Sequence, residues 1–168
     1  MKSFFKSFIV IGLVAVSFAG QAQKIAFIEL DSLLASMPEM VEAKKASADY
    51  YKQLEATLTT MQKELNDKLA DYQSHEKDYT DLIKQTKQKE LQDMNQRIQD
   101  FQAQAQGDFQ KKNDELTKPI NAKAKKAIEK VAKVKGYKMV FDSSIGGVLY
   151  SEPADDIFSL VKTELGIK

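Results

Sequence analysis

The sequence contains no cysteine and a single histidine, His75. Without a thiol the chain has no disulfide, no cysteine ligand for a metal and no cysteine nucleophile. No Ser-His-Asp spacing, phosphate-binding glycine loop or pair of metal ligands can be recognised among the remaining polar residues. We therefore expect no enzymatic activity, no metal and no cofactor, and we interpret His75 as a solvated side chain.

Long apolar runs are also missing, except near the amino terminus. Two lysines precede an apolar stretch from Phe8 to Ala19, and small residues lead to a cleavage site after Ala22. This pattern is typical of a secretory signal peptide, and the stretch is shorter than the roughly 20 residues that a membrane-spanning helix needs. Residues 1–22 are therefore predicted to be a cleaved signal peptide. We expect export to the periplasm, and surface secretion is the alternative destination.

A large excess of either charge is absent as well. The 25 basic and 24 acidic residues give a net charge of +1, and removal of residues 1–22 takes away two lysines and no acid, which leaves −1. A strongly basic mature protein is thus excluded, and no nucleic acid is expected as a partner. Residues 111–138 nevertheless contain ten lysines and three acids. These lysines either keep their own helix solvated and pair with acids of a neighbouring helix, or they contact a phosphate-bearing partner such as lipopolysaccharide or a membrane surface.

Helix-breaking residues are scarce in the middle of the chain. Residues 39–106 contain no glycine and no proline, and good helix formers dominate their composition. We expect helix throughout residues 39–135, with Pro38 at its start and Gly136 at its end. At Gly107 and at Pro119 either a bend or a tolerated local defect is expected.

Apolar residues recur in this helical region at steps of three and four, in two series. They are Leu54, Leu58, Met61, Leu65, Leu69 and Tyr72, followed by Leu91, Met94, Ile98, Phe101 and Ala105, which continue to Phe109, Leu116, Ile120, Ile128 and Val131. Such a narrow stripe is typical of a coiled-coil seam. The pattern thins within residues 75–90, which predicts the tip of an antiparallel helical hairpin. One unbroken helix is the alternative, because no glycine marks a turn there.

The two ends of the chain are predicted to contain β-structure. Residues 24–30 are rich in β-branched and aromatic residues and apolar at their centre, which predicts a buried strand. Residues 137–141 are a second β-like run, and we expect them to form a hairpin with a partner strand at residues 148–151. A short terminal helix capped by Asp155 should follow. The predicted fold is α+β and predominantly α, with a long antiparallel coiled-coil hairpin arm inserted into a small β-containing body.

The predicted body comprises residues 23–38 and 136–168. A core of about 50 residues is marginal on its own, so association between copies is expected. The candidate oligomerisation residues are the apolar ones of the predicted strands: Ile25, Phe27, Ile28, Val140, Phe141, Val148, Leu149 and Tyr150.

Two segments resemble the two ends of Skp/OmpH periplasmic chaperones. The first is residues 24–34 (KIAFIELDSLL) leading to Met37-Pro38, and the second is residues 137–142 (YKMVFD) leading through residues 146–150 (GGVLY) to residues 155–157 (DDI). With the arm between them, the resemblance covers the whole mature chain. It implies a homotrimer in which strands of three subunits form a β-barrel-like body. It also implies three helical hairpins around a cavity that takes unfolded outer-membrane β-barrel proteins.

Two sets of arm residues are candidates for contact with such clients. Uncharged amides at helical spacing can exchange hydrogen bonds with an extended chain, and tyrosines off the seam can contact it, although plain solvent exposure is the alternative for both sets. These candidate client-binding residues are Tyr50, Tyr51, Tyr79, Gln85, Gln88, Gln92, Gln96 and Gln99. A further amide, Gln106, follows the same spacing.

The predicted function is that of an ATP-independent periplasmic holdase that binds unfolded outer-membrane proteins and prevents their aggregation. The main alternative is a structural coiled-coil protein of the cell envelope without client-holding activity. A basic helix that binds lipid or nucleic acid is a second alternative, which the near-neutral mature charge disfavours.

Overall fold

The structure, a computed structural model, describes residues 24–167. The chain is 78% helical, with long helices and one small two-stranded sheet. The predicted fold class, mainly α with a small β part, is confirmed. The predicted signal peptide, residues 1–22, lies outside the described part of the chain.

Two strands and four α-helices make up the described chain. In order they are β1 (Ile25–Ile28), α1 (Leu30–Ser36), α2 (Pro38–His75), α3 (Asp81–Lys135), β2 (Met139–Asp142) and α4 (Phe158–Glu164). Short 3-10 turns at Glu76–Asp78 and Pro153–Asp155 precede α3 and α4.

The described chain divides into two compact units. The first, here called the β unit, comprises residues 24–30 and Ala127–Gly166. The second, here called the hairpin unit, comprises Asp31–Lys126. Each unit has its own set of buried apolar side chains, so each is described separately.

Strands β1 and β2 of the β unit are parallel neighbours. Their register places Ile25 opposite Met139 and Phe27 opposite Phe141, and the two phenylalanine rings are 6.3 Å apart between centroids. Parallel strands cannot be joined by a tight turn, because the chain must return to the same end of the sheet. The sheet therefore forms between residues more than a hundred positions apart in the sequence.

The carboxyl-terminal segment covers the other edge of β1. The Ile157 N–H donates to the Phe27 carbonyl at 3.0 Å, next to a bridge between Phe27 and Asp156. Ile157 and Val161 are completely buried as a result. The other buried apolar residues of the unit are Ala26, Ile28, Ala127, Val131 and Tyr137.

The predicted carboxyl-terminal hairpin is wrong. Residues 148–151 form no strand, and β2 pairs with β1 instead. After β2 the Ser144 N–H donates to the Asp142 side chain at 2.9 Å, and the Gly146 N–H donates to the Ser143 carbonyl. This turn leads the chain away from β2, and the next residues extend with Leu149 98% exposed.

The predicted cap of the terminal helix is also corrected. Asp155 lies in the preceding 3-10 turn, and the Phe158 N–H donates to the Asp156 side chain at 2.8 Å. The start of α4 is thus fixed by the residue that bridges to β1. At the start of α2, the N-cap residue Met37 makes no side-chain capping bond, and the nearby Ser36 hydroxyl donates to the Leu33 carbonyl at 2.7 Å.

Helix α3 ends in a glycine-based C-cap. The Tyr137 N–H donates to the Ala132 carbonyl at 2.9 Å, and the Gly136 N–H donates to the Lys133 carbonyl at 3.3 Å. This pair of bonds is a Schellman motif, which needs a left-handed residue, and Gly136 has φ +77°. The chain therefore reverses at the residue where the sequence predicts the helix to stop.

Helix α3 is continuous through Gly107 and Pro119. Pro119 lacks the N–H that would bond to residue 115, so one helical hydrogen bond is missing there. A Cβ built on Gly107 meets no atom within 4 Å, so packing does not require glycine at this position.

Candidate functional site

Helices α2 and α3 run antiparallel in the hairpin unit, and four side-chain contacts show their register. These are the ion pair of Glu39 with Lys123, the hydrogen bond of Ser47 with Asn113, the edge-to-face rings of Tyr51 and Phe109, and the hydrogen bond of Gln88 with the Tyr72 hydroxyl. The residue numbers of each pair add up to 160, or to 162 for the ion pair. Each contact therefore joins positions at nearly equal distance from a turn near residue 80.

Electrostatics supports this register at the base of the hairpin unit. The hydrogen bond that Lys123 donates to the Glu39 carboxylate lowers the pKa of Glu39. Both side chains remain partly exposed, so the pair orients the helices more than it stabilises them.

Burial along the seam is uneven. Tyr72, Met94 and Ile98 are at most 8% exposed, whereas Leu54 and Leu58 are only half-buried. The seam is thus closed around these three residues and again at the other end of the hairpin unit, where Met40, Ala43, Ile120 and Ala124 are buried. Between these two stretches it is open at Leu54 and Leu58. Open stretches of a two-helix seam leave apolar surface in contact with water.

The open stretch contains an apolar groove of about 330 Å³, here called the aromatic groove. Its apolar lining consists of Tyr51, Leu54, Leu58, Phe101, Ala105 and Phe109. Alanine occupies the seam at residue 105, and it does not fill the space that a larger side chain would. Glu55, Gln102 and Gln106 complete the lining.

A second groove, of about 490 Å³, shares Tyr51, Glu55 and Phe109 with the aromatic groove and is otherwise lined by Ala43, Ser47 and Asn113 among others. A third, of about 470 Å³, is bordered by Glu39, Glu42 and Lys123 and has Ala46 in its wall; we call it the ion-pair groove. The Tyr51 and Phe109 rings therefore line two of these grooves, of which the one beside Leu54 has a single charged residue, whereas the ion-pair groove has no aromatic residue in its lining.

The five amide candidates all lie exposed on α3. Gln88 donates to the Tyr72 hydroxyl and Gln96 donates to Asp100, each at 2.9 Å. Within the described residues, the side chains of Gln85, Gln92 and Gln99 make no hydrogen bond. Three of the five amides are thus available to an external partner.

The three tyrosine candidates lie in different surroundings. Tyr51 is 53% exposed, and its ring centroid is 5.5 Å from that of Phe109. Tyr79 is half-buried near the turn, with its ring 6.1 Å from Tyr72 and 6.3 Å from His75. Tyr50 is half-buried and lines neither of the grooves beside Tyr51. Tyr51 is therefore the tyrosine placed at a groove.

The lysines of residues 111–138 are mostly unpaired. Among the described residues, Lys123 alone pairs with α2, through Glu39. Lys118 pairs within its own helix and Lys130 with α4. The other seven lysines form no ion pair in the described chain, so they leave a stretch of free positive charge.

The candidate oligomerisation residues divide into buried and exposed groups. Ile28 is 3% exposed and belongs to the core of the β unit, whereas Ile25, Phe27, Val140 and Val148 are half-buried. Phe141, Leu149 and Tyr150 are 43%, 98% and 77% exposed. The Tyr150 hydroxyl donates to Glu152, which raises the pKa of Tyr150.

Several exposed or seam residues were not anticipated from the sequence. Leu82 near the turn is 74% exposed, and Ile145 in the β unit is 82% exposed. The Ser47 hydroxyl donates to the Asn113 side chain within the seam. The sequence shows Asn113 as a polar residue that follows Phe109 by four positions, which is the spacing at which such a contact could have been predicted.

Neither a metal site nor a membrane span appears in the described chain. Residues 24–167 contain no group of three or more His, Cys, Asp or Glu side chains placed to hold a metal ion. In the same range, no helix has the length and apolar character needed to cross a bilayer.

The described chain thus combines a two-helix hairpin unit with a β unit that contains a small parallel sheet, which is a mainly α architecture. The chain belongs to the family described as outer membrane protein (OmpH-like), whose model matches residues 24–165. This confirms the family that the chain ends resemble.

A crystal structure with a similar fold is that of a proposed outer membrane chaperone (OmpH-like) from Caulobacter crescentus. The TM-score is 0.76 at 14% sequence identity, and the alignment covers 88% of this chain and 86% of that one. At this identity the likeness shows the fold. No match was found among the curated proteins.

Proposed function

We propose that the protein is an ATP-independent chaperone of the periplasm, which holds unfolded outer-membrane β-barrel proteins and keeps them from aggregating. Membership of the OmpH-like family supports a chaperone role, and a protein with the same fold carries that description. The export signal predicted in residues 1–22 supports the periplasmic location.

The observation that carries the proposal is the surface of the hairpin unit. Helix α2 has 38 residues and is about 57 Å long at 1.5 Å per residue. Uncharged amides lie exposed along α3, and Tyr51 lies half-exposed at an apolar groove. A surface with many weak contacts spread over such a length suits an extended polypeptide.

Holding a client in this way requires neither catalysis nor a nucleotide. Several arms around one unfolded chain raise the local concentration of binding groups, so single contacts can break while the client stays bound. Binding to the unfolded form lowers the concentration of free, aggregating chains by mass action. Release follows when a folding partner captures the client.

A homotrimer of these chains is the proposed assembly, on the model that the family resemblance implies. The β unit exposes large apolar side chains in one short stretch of sequence: Met139, Phe141, Ile145, Leu149 and Tyr150. A small two-stranded sheet needs further cover to be stable, and strands of neighbouring copies supply it. Ile28 is part of the core within one copy, so the proposed contact uses the exposed residues.

The test is a comparison of aggregation with and without the mature protein. An unfolded outer-membrane β-barrel protein is diluted from urea, and light scattering is followed at increasing amounts of the mature chain. We expect scattering to be suppressed near stoichiometric amounts, with a complex of defined size in sedimentation velocity. Undiminished scattering at a threefold excess would contradict the proposal and leave a structural coiled-coil role in the envelope.

Contact with an anionic lipid surface is a second candidate activity, favoured by the seven unpaired lysines of residues 111–138. Such binding should weaken steeply as salt is raised, because each lysine contact releases counterions. Co-sedimentation with anionic vesicles between low and physiological salt measures this directly, and equal binding to neutral vesicles would exclude it.

A further inference from the structure

We propose that the aromatic groove binds one large, uncharged aromatic side chain of an unfolded polypeptide. The proposal rests on the proposed function, and it names the place on the hairpin unit where a client's apolar side chain is held. The groove lies in the open stretch of the seam between α2 and α3.

The size of the groove limits what can occupy it. Its volume of about 330 Å³ admits a side chain and its flanking backbone. A helix is about 10–12 Å in diameter with its side chains and would not enter. The occupant is therefore an extended segment that inserts a side chain between Leu54 or Leu58 on α2 and Phe101 on α3.

The lining favours an aromatic ring. Tyr51 and Phe109 already meet edge-to-face at 65°, which leaves the 53% exposed Tyr51 ring with free surface at the mouth of the groove. Aromatic rings prefer offset or edge-to-face contacts with other rings, so a client ring finds two partners here. The apolar floor of leucines removes the rest of its surface from water.

Charge complementarity separates this groove from the ion-pair groove. Glu55 is the only charged residue among the nine that line the aromatic groove, and Gln102 and Gln106 are neutral amides that can bond to a client backbone. The ion-pair groove instead has Glu39 and Lys123 at its border. A negatively charged client side chain would lose water in the aromatic groove and would meet Glu55 as the one charged group there.

Unfolded outer-membrane strands have the matching chemistry. Their lipid-facing residues are apolar, alternate with polar ones and include girdles of aromatic residues. In an extended chain alternate side chains point to opposite sides, so one residue enters the groove while its neighbours face away. Such a segment presents an uncharged ring with its backbone beside Gln106.

The experiment uses the mature full chain and a short unstructured peptide with one tryptophan between serines and threonines. The protein contains no tryptophan, so the emission of the peptide can be excited selectively. Two variants block the groove: Ala105→Leu fills it from α3, and Tyr51→Lys places a charge at its mouth. Two matched controls make the same changes elsewhere: Ala46→Leu in the ion-pair groove and Val41→Lys on the exposed surface of α2, where Val41 is 62% exposed.

We expect the wild-type protein and both controls to shift the tryptophan emission to the blue, and both groove variants to bind at least about tenfold more weakly. Wild-type-like binding by Tyr51→Lys and by a folded Ala105→Leu would overturn the groove proposal. If Ala105→Leu does not fold, as judged by circular dichroism, Gln102→Lys takes its place, because exposed Gln102 lines the aromatic groove and Tyr51 lines the second groove as well. A change in the sedimentation of the free groove variants would assign the groove to a second copy and also overturn it.

The aggregation assay on the wild-type protein separates the two proposals. Suppressed aggregation together with unaffected peptide binding by the groove variants contradicts the groove alone. Unsuppressed aggregation contradicts the chaperone function itself, whatever the peptide shows.

Discussion

The side chain of Asp142 connects the start of α1, which follows β1, with the turn that follows β2. Its carboxylate accepts hydrogen bonds from the Leu30 N–H at 3.3 Å and from the Ser144 N–H at 2.9 Å. Burial by itself would raise the pKa of Asp142, but the bonds donated by Ser144 and Leu30 outweigh it and leave the pKa below its usual value of 3.8. The charged form is therefore the one that the fold prefers.

This pKa gives a prediction for the Asp142→Asn variant. A lowered pKa in the folded state means that Asp142 stabilises the fold above pH 3.8, and that this contribution is lost as the pH falls through the folded-state pKa. Asn keeps an acceptor oxygen but no charge, so the variant should be less stable at pH 6 and should approach the wild type at pH 3. Urea unfolding midpoints at both values measure the difference, and a constant difference would contradict the role of the charge.

The sequence does not predict which of two neighbouring residues accepts a hydrogen bond from the start of α4. Asp155 and Asp156 are adjacent and have the same side chain, so local preferences cannot choose between them. The carboxylate of Asp156, one residue before the N-cap Ile157, accepts from the Phe158 N–H because the backbone of Asp156 bridges to Phe27 and so lies at the start of α4. The choice depends on a contact with a distant strand.

At the scale of elements, α3 contains two glycines with opposite roles. Gly136 has φ +77° and allows the chain to reverse at the helix end. Gly107 lies within the helix, and a side chain there would point into open space. Glycine in a helix interior loses more backbone freedom on folding than alanine does.

We therefore predict opposite effects of the same substitution at the two glycines. Gly107→Ala should stabilise the protein by about 0.5–1 kcal/mol, because alanine is the better helix former. Gly136→Ala should destabilise it by about 1–2 kcal/mol, because an L side chain is strained in the left-handed region. Thermal and urea unfolding of both variants test this, and a stabilised Gly136→Ala would refute the C-cap interpretation.

The elements differ in how well the sequence predicts them. The seam of the hairpin unit follows from a local period, since residues of the predicted stripe such as Leu58 and Ile98 are half-buried or buried, although Leu69 is 40% exposed. The partner of β2 does not follow from any local pattern, because a nearby apolar run at residues 148–151 looks like a better partner than β1 does. The hairpin prediction failed for this reason.

For the whole molecule, the exposed apolar residues of the β unit lead to a prediction about assembly. Leu149→Lys places a charge where the structure has a 98% exposed leucine, so it should leave the fold of one copy intact. If Leu149 lies between copies, the charge would be buried there without a partner, and the assembly should fall apart.

Sedimentation velocity on the mature protein tests this assembly. The wild type should sediment as a trimer, and Leu149→Lys should shift towards monomer. Leu82→Lys is the matched control, because Leu82 is 74% exposed in the hairpin unit and its change should leave the oligomer unaltered. An unchanged oligomer in Leu149→Lys would exclude this residue from the interface.

The candidate binding surface was only partly predictable. The amides and tyrosines could be named from helical spacing and polarity, and their role in client binding stays a prediction. The aromatic groove could not be named, because it arises where Leu54 and Leu58 of α2 meet Phe101 and Ala105 of α3. That meeting depends on the register, which the sequence places only to within about fifteen residues.

The mirror-like pairing of α2 with α3 also constrains how the protein can diverge. Because Ser47 meets Asn113 and Tyr72 meets Gln88, an insertion in one helix alone would shift every pair beyond it. The length of the hairpin unit can change only by equal additions or losses on both sides of the turn. Each step must also keep the apolar residues of the seam facing each other. Relatives with longer or shorter arms should therefore differ by matched pairs of insertions.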